Sequence, residues 1–211
     1  MPMLDHVLAD GAPPAIAILR GLRPGEAVAV GAALVDAGVR MIEVPLNSPD
    51  PFASIAALQA EFGQDALIGA GTVLDIAAVD RLSDSGARLL VAPNTDARVI
   101  GRGVALGLEV IPGFVTPTEA FAAVEAGARR IKLFPAFAAA PGYLQAIREV
   151  LPPDIGIWAV GGVDITNARD WLAAGAEGVA LGGALYRPGL DASEVGRRAR
   201  ALVAALNSRE T

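Results

Sequence analysis

Eight short, uninterrupted apolar runs recur along this 211-residue chain, and each is followed by a longer amphipathic stretch. The runs are AIAIL (Ala15 to Leu19), MIEVPL (Met41 to Leu46), ALIGAG (Ala66 to Gly71), RLLVAP (Arg88 to Pro93), LEVIPG (Leu108 to Gly113), RIKLFP (Arg130 to Pro135), IGIWAVGG (Ile155 to Gly162) and GVALGG (Gly178 to Gly183). Runs that are continuously apolar, rather than alternating, belong to parallel strands covered by helices on both faces. The stretches between them, such as Gly25 to Ala37, Ala77 to Ser85 and Thr118 to Ala126, give way at Gly38, Gly86, Gly127 and Gly175. Glycine there supplies the left-handed residue that ends a helix. Eight right-handed strand–helix units close most naturally into a (β/α)8 TIM barrel. The alternative is an open doubly wound sheet, but the first run is followed by Arg20-Gly21-Leu22-Arg23 where that fold carries GxGxxG. The sequence therefore predicts an α/β barrel, one domain over residues 1–211, with an extra N-terminal helix at Met3 to Leu8.

Composition narrows the chemistry. Cysteine is absent, which excludes disulfides, thiolate nucleophiles, iron–sulfur clusters and cysteine-ligated zinc. The single histidine, His6, is expected on the surface of the leading helix and speaks against multi-histidine metal sites. A formal charge of −6 and an isoelectric point near 4.8 argue against nucleic acid or an anionic membrane as partner. No apolar run reaches the roughly 18 residues of a membrane span, and Asp5, His6 and Asp10 make the first ten residues unlike a secretory signal. A cytoplasmic protein is expected.

Active sites of such barrels lie at the C-terminal ends of the strands, and two charges stand out there. Lys132 is the only lysine in the chain and sits inside Ile131-Lys132-Leu133-Phe134. Period-two alternation directs it to the barrel interior, opposite in sense to Ile131 and Leu133. Desolvation lowers the pKa of an amine and makes its neutral form available as a nucleophile, which is how Schiff-base lysines are activated. Glu43, within Met41-Ile42-Glu43-Val44-Pro45, is the complementary carboxylate on the second run. Strands two and six face each other across an eight-stranded ring, so both side chains can share one cavity, with Glu43 shuttling protons. A structural ion pair between them would satisfy the same two groups, and the two roles are compatible.

Glycine pairs end the last two runs: Gly161-Gly162 and Gly182-Gly183. Those positions form the recurrent phosphate site of barrels, where bare backbone N–H groups approach an anion. Arg20, after the first run, neighbours the eighth strand in a closed ring and can reach the same anion or a substrate carboxylate. Thr72, after Gly69-Ala70-Gly71, offers a hydroxyl at the rim. Trp158 and Trp171 read as packing or interface residues.

With these residues in place the sequence resembles the bacterial 2-dehydro-3-deoxy-phosphogluconate/phosphogalactonate aldolase family. The segments ILRG, EVPLNSP, IGAGTV, APN, IPG, IKLFP, AVGGV and LYRPG occur in the family's order between about Ala15 and Gly189. The resemblance implies a class I aldolase in which Lys132 forms the Schiff base and Glu43 is the general acid/base. Arg20, Thr72, Gly161, Gly162, Gly182 and Gly183 would bind the carboxylate and phosphate ends of a sugar-acid phosphate. It implies no metal or other cofactor, and a homotrimer. The phosphogalactonate branch is the closer: Asn47 stands where the phosphogluconate branch shows arginine, and Val160 where it shows threonine. Gly183 departs from the family's usual serine, so a hydroxyl contact to phosphate would be missing. Two rival readings are a metal-dependent barrel lyase or epimerase, weakened by the single histidine, and a non-catalytic phosphosugar-binding barrel, weakened by Lys132 and Glu43.

Overall fold

The computed structural model describes residues 3–207. Helix α1 (Met3–Ala9) precedes an alternation of strands and helices: β1 (Ala15–Ile18), α2 (Pro24–Asp36), β2 (Met41–Pro45), α3 (Pro51–Phe62), β3 (Leu67–Gly71), α4 (Ile76–Asp84), β4 (Leu89–Val91) and α5 (Ala97–Ala105). It continues through β5 (Glu109–Ile111), β6 (Gly113–Phe114), α6 (Pro117–Glu125), β7 (Arg130–Leu133), α7 (Pro141–Val150), β8 (Gly156–Val160), α8 (Ala168–Ala173), β9 (Gly178–Leu181) and α9 (Ala192–Asn207). All strand pairs are parallel, in the order β5-β4-β3-β2-β1-β9-β8-β7-β6. This is the expected barrel with one difference. The fifth run is two short strands parted by Pro112, which has no N–H to give a ladder. The ring still passes through that point, because the Lys132 N–H donates to the Pro112 carbonyl at 2.8 Å and the Ala92 N–H to the Ile111 carbonyl at 3.2 Å. The runs also end earlier than drawn from sequence: Leu19, Leu46, Pro93, Pro135 and both glycine pairs lie in the loops beyond the strands. The four glycines expected past helix ends all have positive φ, between +81° and +103°.

Strand alternation sorts the core into two layers. Ile16, Ile18, Met41, Leu89, Trp158 and Val160 fill the barrel, while Ala17, Ile42, Val44, Ile131 and Leu133 pack outward under the helices. The N-terminal mouth is closed by α1, whose Leu4 enters the interior layer and whose backbone N–H there donates to Glu109 Oε2 at 2.9 Å. Beside it the buried Arg130 guanidinium lies 2.8 Å from Glu177 and 3.6 Å from Glu109, and also pairs with Asp5 of α1. The Trp158 indole N–H donates to Glu177 at 2.7 Å. Three carboxylates around one guanidinium thus join α1, β5, β7 and the residue leading into β9. Among the described residues no helix is long and apolar enough to cross a membrane.

Arg130→Leu would leave Glu109 buried without its cation, at an expected cost of about 3–5 kcal/mol in unfolding free energy. Urea midpoints at constant m-value measure it; a loss below about 1 kcal/mol would reduce the network to packing.

Candidate active site

The apolar strands β2 and β7 carry Glu43 and Lys132 into the interior, where they are 3% and 5% exposed. Each is fixed by its backbone ladder: Glu43 is in register with Ile18 and Gly69, and Lys132 with Gly113 and Trp158. Space for the carboxylate comes from Gly71 on the neighbouring strand, since a Cβ there would lie 1.9 Å from Glu43 Oε2. That oxygen is buried with no hydrogen-bond partner among the described residues. Lys132 Nζ sits 4.7 Å from the centre of the Phe134 ring, in cation–π range.

Burial dominates both titrations. It pushes the Glu43 carboxyl up to about 7, against the opposing charges of Lys132 and Arg20. It pulls the Lys132 amine down to about 8; the Glu43 charge opposes that fall and the Arg20 charge assists it. An acid and an amine that titrate near neutrality can pass protons at small cost and keep a useful neutral-amine fraction.

Above this pair opens a cleft of about 690 Å³, lined among others by Arg20, Phe134, Val160, Gly161, Gly162, Asp164, Gly182, Gly183 and Arg187. Phe134, which touches the Lys132 amine, links the pair to the cleft. Gly161 and Gly162 have φ of +94° and +76°, a conformation closed to most side-chain-bearing residues. Their carbonyls are occupied, by the Phe137 N–H at 3.0 Å and the Asn167 side-chain amide at 2.9 Å. Thr72 follows the glycine that houses Glu43 and holds φ +57°, rare for a β-branched residue and a form of strain that collects at functional sites.

Three loops interlock at the rim. The Arg20 guanidinium donates to Asn47 Oδ1 at 2.7 Å, and the Gly21 N–H to Ser48 Oγ at 2.9 Å. Pro188 abuts Gly21 so closely that a Cβ there would come within 2.6 Å of the proline ring. Of the residues selected from the sequence, Arg20, Val160, Gly161, Gly162, Gly182 and Gly183 line the cleft. Glu43 and Lys132 lie buried on β2 and β7, and Thr72 follows β3 without being part of the cleft lining. The cleft also holds Arg187, which sequence reasoning passed over although it lies in the LYRPG segment. His6 is exposed on α1, and Trp158 is interior packing.

A buried amine and a buried carboxylate on facing strands of a parallel barrel suit a carbon–carbon lyase, and the proteins this chain is similar to are aldolases. Residues 11–198 match the family model for KDPG and KHG aldolase, and the chain belongs to that family. It is 49% identical over 195 residues to a probable 2-dehydro-3-deoxy-6-phosphogalactonate aldolase of Rhizobium meliloti (strain 1021), covering 92% of each chain. It is 48% identical over 192 residues to the 2-dehydro-3-deoxy-6-phosphogalactonate aldolase of Escherichia coli (strain K12), covering 91% of this chain and 94% of that one. A solved native KDPGal structure superposes with a TM-score of 0.90 at 48% identity, over 91% of this chain and 93% of the other.

Because the Arg20 charge lowers both Glu43 and Lys132, Arg20→Ala should move the pH midpoint of borohydride-trapped pyruvate adduct formation to the alkaline side. An unmoved midpoint would place Arg20 outside electrostatic reach of the pair.

Proposed function

We propose that the chain reversibly cleaves 2-dehydro-3-deoxy-6-phosphogalactonate to pyruvate and D-glyceraldehyde 3-phosphate. The observation that carries the reading is the sole lysine of the chain, buried beside Glu43 under a glycine-lined cleft. Neutral Lys132 attacks the C2 ketone, and loss of water from the carbinolamine leaves an iminium. That cation accepts the electron pair of the C3–C4 bond as Glu43 removes the C4 hydroxyl proton, directly or through water. The aldehyde departs, the proton returns to C3 of the enamine, and water releases pyruvate and the free amine. Arg20 and Thr72 serve the substrate carboxylate, and Gly161, Gly162, Gly182 and Gly183 the phosphate.

The galactonate configuration is supported by Val160, which lines the cleft with no hydrogen-bonding atom in its side chain. Asn47 supports it too, spending its side-chain oxygen on Arg20. The phosphogluconate epimer remains the second reading, since an apolar wall rejects an epimer only weakly, by roughly 1–3 kcal/mol. The same proposal has residues 1–211 acting as one domain, in the cytoplasm, as a homotrimer.

Borohydride with pyruvate should add one pyruvyl-derived mass to Lys132, and Lys132→Ala should lose it; an undiminished adduct on that variant overturns the Schiff-base role. Glu43→Gln should still trap pyruvate while turnover falls by about 10²–10⁴-fold, and unchanged turnover would leave Glu43 a structural partner. Val160→Thr should shift the ratio of kcat/KM values for the two C4 epimers toward the gluco form, measured by coupled assay of pyruvate release.

A further inference from the structure

Tyr186 is 2% exposed and takes no part in the chemistry proposed above. It lies in the loop between β9 and α9, packed into the outer apolar layer. A tyrosine buried this far needs a partner for its hydroxyl, and Tyr186 finds one on another element. Its O–H donates to Glu26 Oε1, in the first turn of α2, at 3.3 Å. Burial and the Glu26 charge, against the charge of Arg23, push this phenol up to about 12, so it remains a donor through the neutral range. The same Glu26 oxygen accepts the Arg23 N–H at 3.1 Å. Arg23 ends the turn that begins at Arg20, in which Gly21 holds φ +84° and the Leu22 N–H donates to the Leu19 carbonyl at 3.2 Å.

The loop that carries Tyr186 is itself tightly folded. The Leu185 and Tyr186 N–H groups both donate to the Gly182 carbonyl, at 2.8 and 2.9 Å, and Arg187 Nε donates to the Gly183 carbonyl at 2.9 Å. It meets the turn after β1 at two places, Pro188 against Gly21 and Tyr186 against Glu26. Asn47 and Ser48 hold that turn from the other side. Arg20 is exposed, so its direction is set by its backbone and by these contacts rather than by packing. We propose that Tyr186 is a positioning residue for Arg20: through Glu26, its hydroxyl holds the turn from which the guanidinium reaches the cleft. The inference rests on the aldolase reading above and adds to it a group that touches neither the substrate nor the reacting amine.

Tyr186→Phe removes the hydroxyl and leaves the buried ring, so packing is kept and the partly exposed Glu26 can turn to water. Two readouts follow Arg20 rather than stability. One is KM for the sugar-acid phosphate, and the other is the pH midpoint of borohydride-trapped pyruvate adduct, on which the Arg20 charge acts through Lys132 and Glu43. Tyr186→Phe should raise KM by about two- to fivefold with kcat held, within what one lost hydrogen bond allows. It should also move the midpoint to the alkaline side, by less than Arg20→Ala does. Glu26→Ala should do the same, whereas Glu26→Gln, which keeps an acceptor oxygen for both donors, should keep the parent values. In the Arg20→Ala background Tyr186→Phe should change neither quantity, the non-additivity expected when one residue acts through another. Unmoved KM and midpoint in Tyr186→Phe, or equal effects of that change with and without Arg20, would overturn the proposal and reduce Tyr186 to packing. Absence of any adduct in the parent protein defeats the aldolase reading itself, whereas an adduct with an unmoved midpoint in the variant defeats only the role of Tyr186.

Discussion

Burial of two ionisable side chains in one chamber is the constraint around which the upper half of the barrel is built. Removing a carboxylate or an ammonium from water is costly unless the group neutralises or finds a partner. Glu43 and Lys132 do part of each: both drift toward their neutral forms, and each charge still favours the other. The surrounding strands have to make room without admitting water. Gly71 clears the volume of the carboxylate, and Gly69 and Gly113 let strands approach where a Cβ would lie 1.8 and 2.2 Å from a backbone oxygen of the next strand or loop. Below, the large interior side chains of Trp158, Met41 and Leu4 close the barrel. Polar chemistry at the top therefore depends on a filled, sealed bottom.

The rim is organised differently, by locking loops rather than by burial. Arg20 is exposed, and an exposed arginine samples many rotamers unless something selects one. Its contact with Asn47, the Gly21–Ser48 hydrogen bond and the seat of Pro188 on Gly21 tie the loops after β1, β2 and β9 into one unit. A site held this way meets its ligand with less ordering left to do, which is the physical content of pre-organisation.

The charged residues of the centre were legible in the sequence because they interrupt runs that are otherwise apolar. Glu43 and Lys132 have no cheap explanation in such strands, and alternation alone gives their direction. Other features left no comparable mark. Pro112 looks like part of one continuous run, since Val110 and Ile111 precede it and Phe114 and Val115 follow, and only the ladder reveals that the strand is broken there. Arg130 opens its run and so resembles a polar strand end. Its carboxylates come from Asp5, Glu109 and Glu177, separations that no local pattern encodes. Arg187 is one arginine among many until the fold sets it over Gly183. Asn47 was marked by the resemblance alone, and its contact with Arg20 became visible only when the two loops were seen side by side.

The solitude of Lys132 also bears on how such a molecule ages. Apart from His6, every other basic side chain is a guanidinium, which stays protonated and does not condense with simple aldehydes as a primary amine does. A catalyst that releases a reactive aldehyde bathes its own surface in it. Here that surface offers no lysine side chain on which glycation could begin, so the imine chemistry proposed for the interior has no second lysine to compete for the aldehyde.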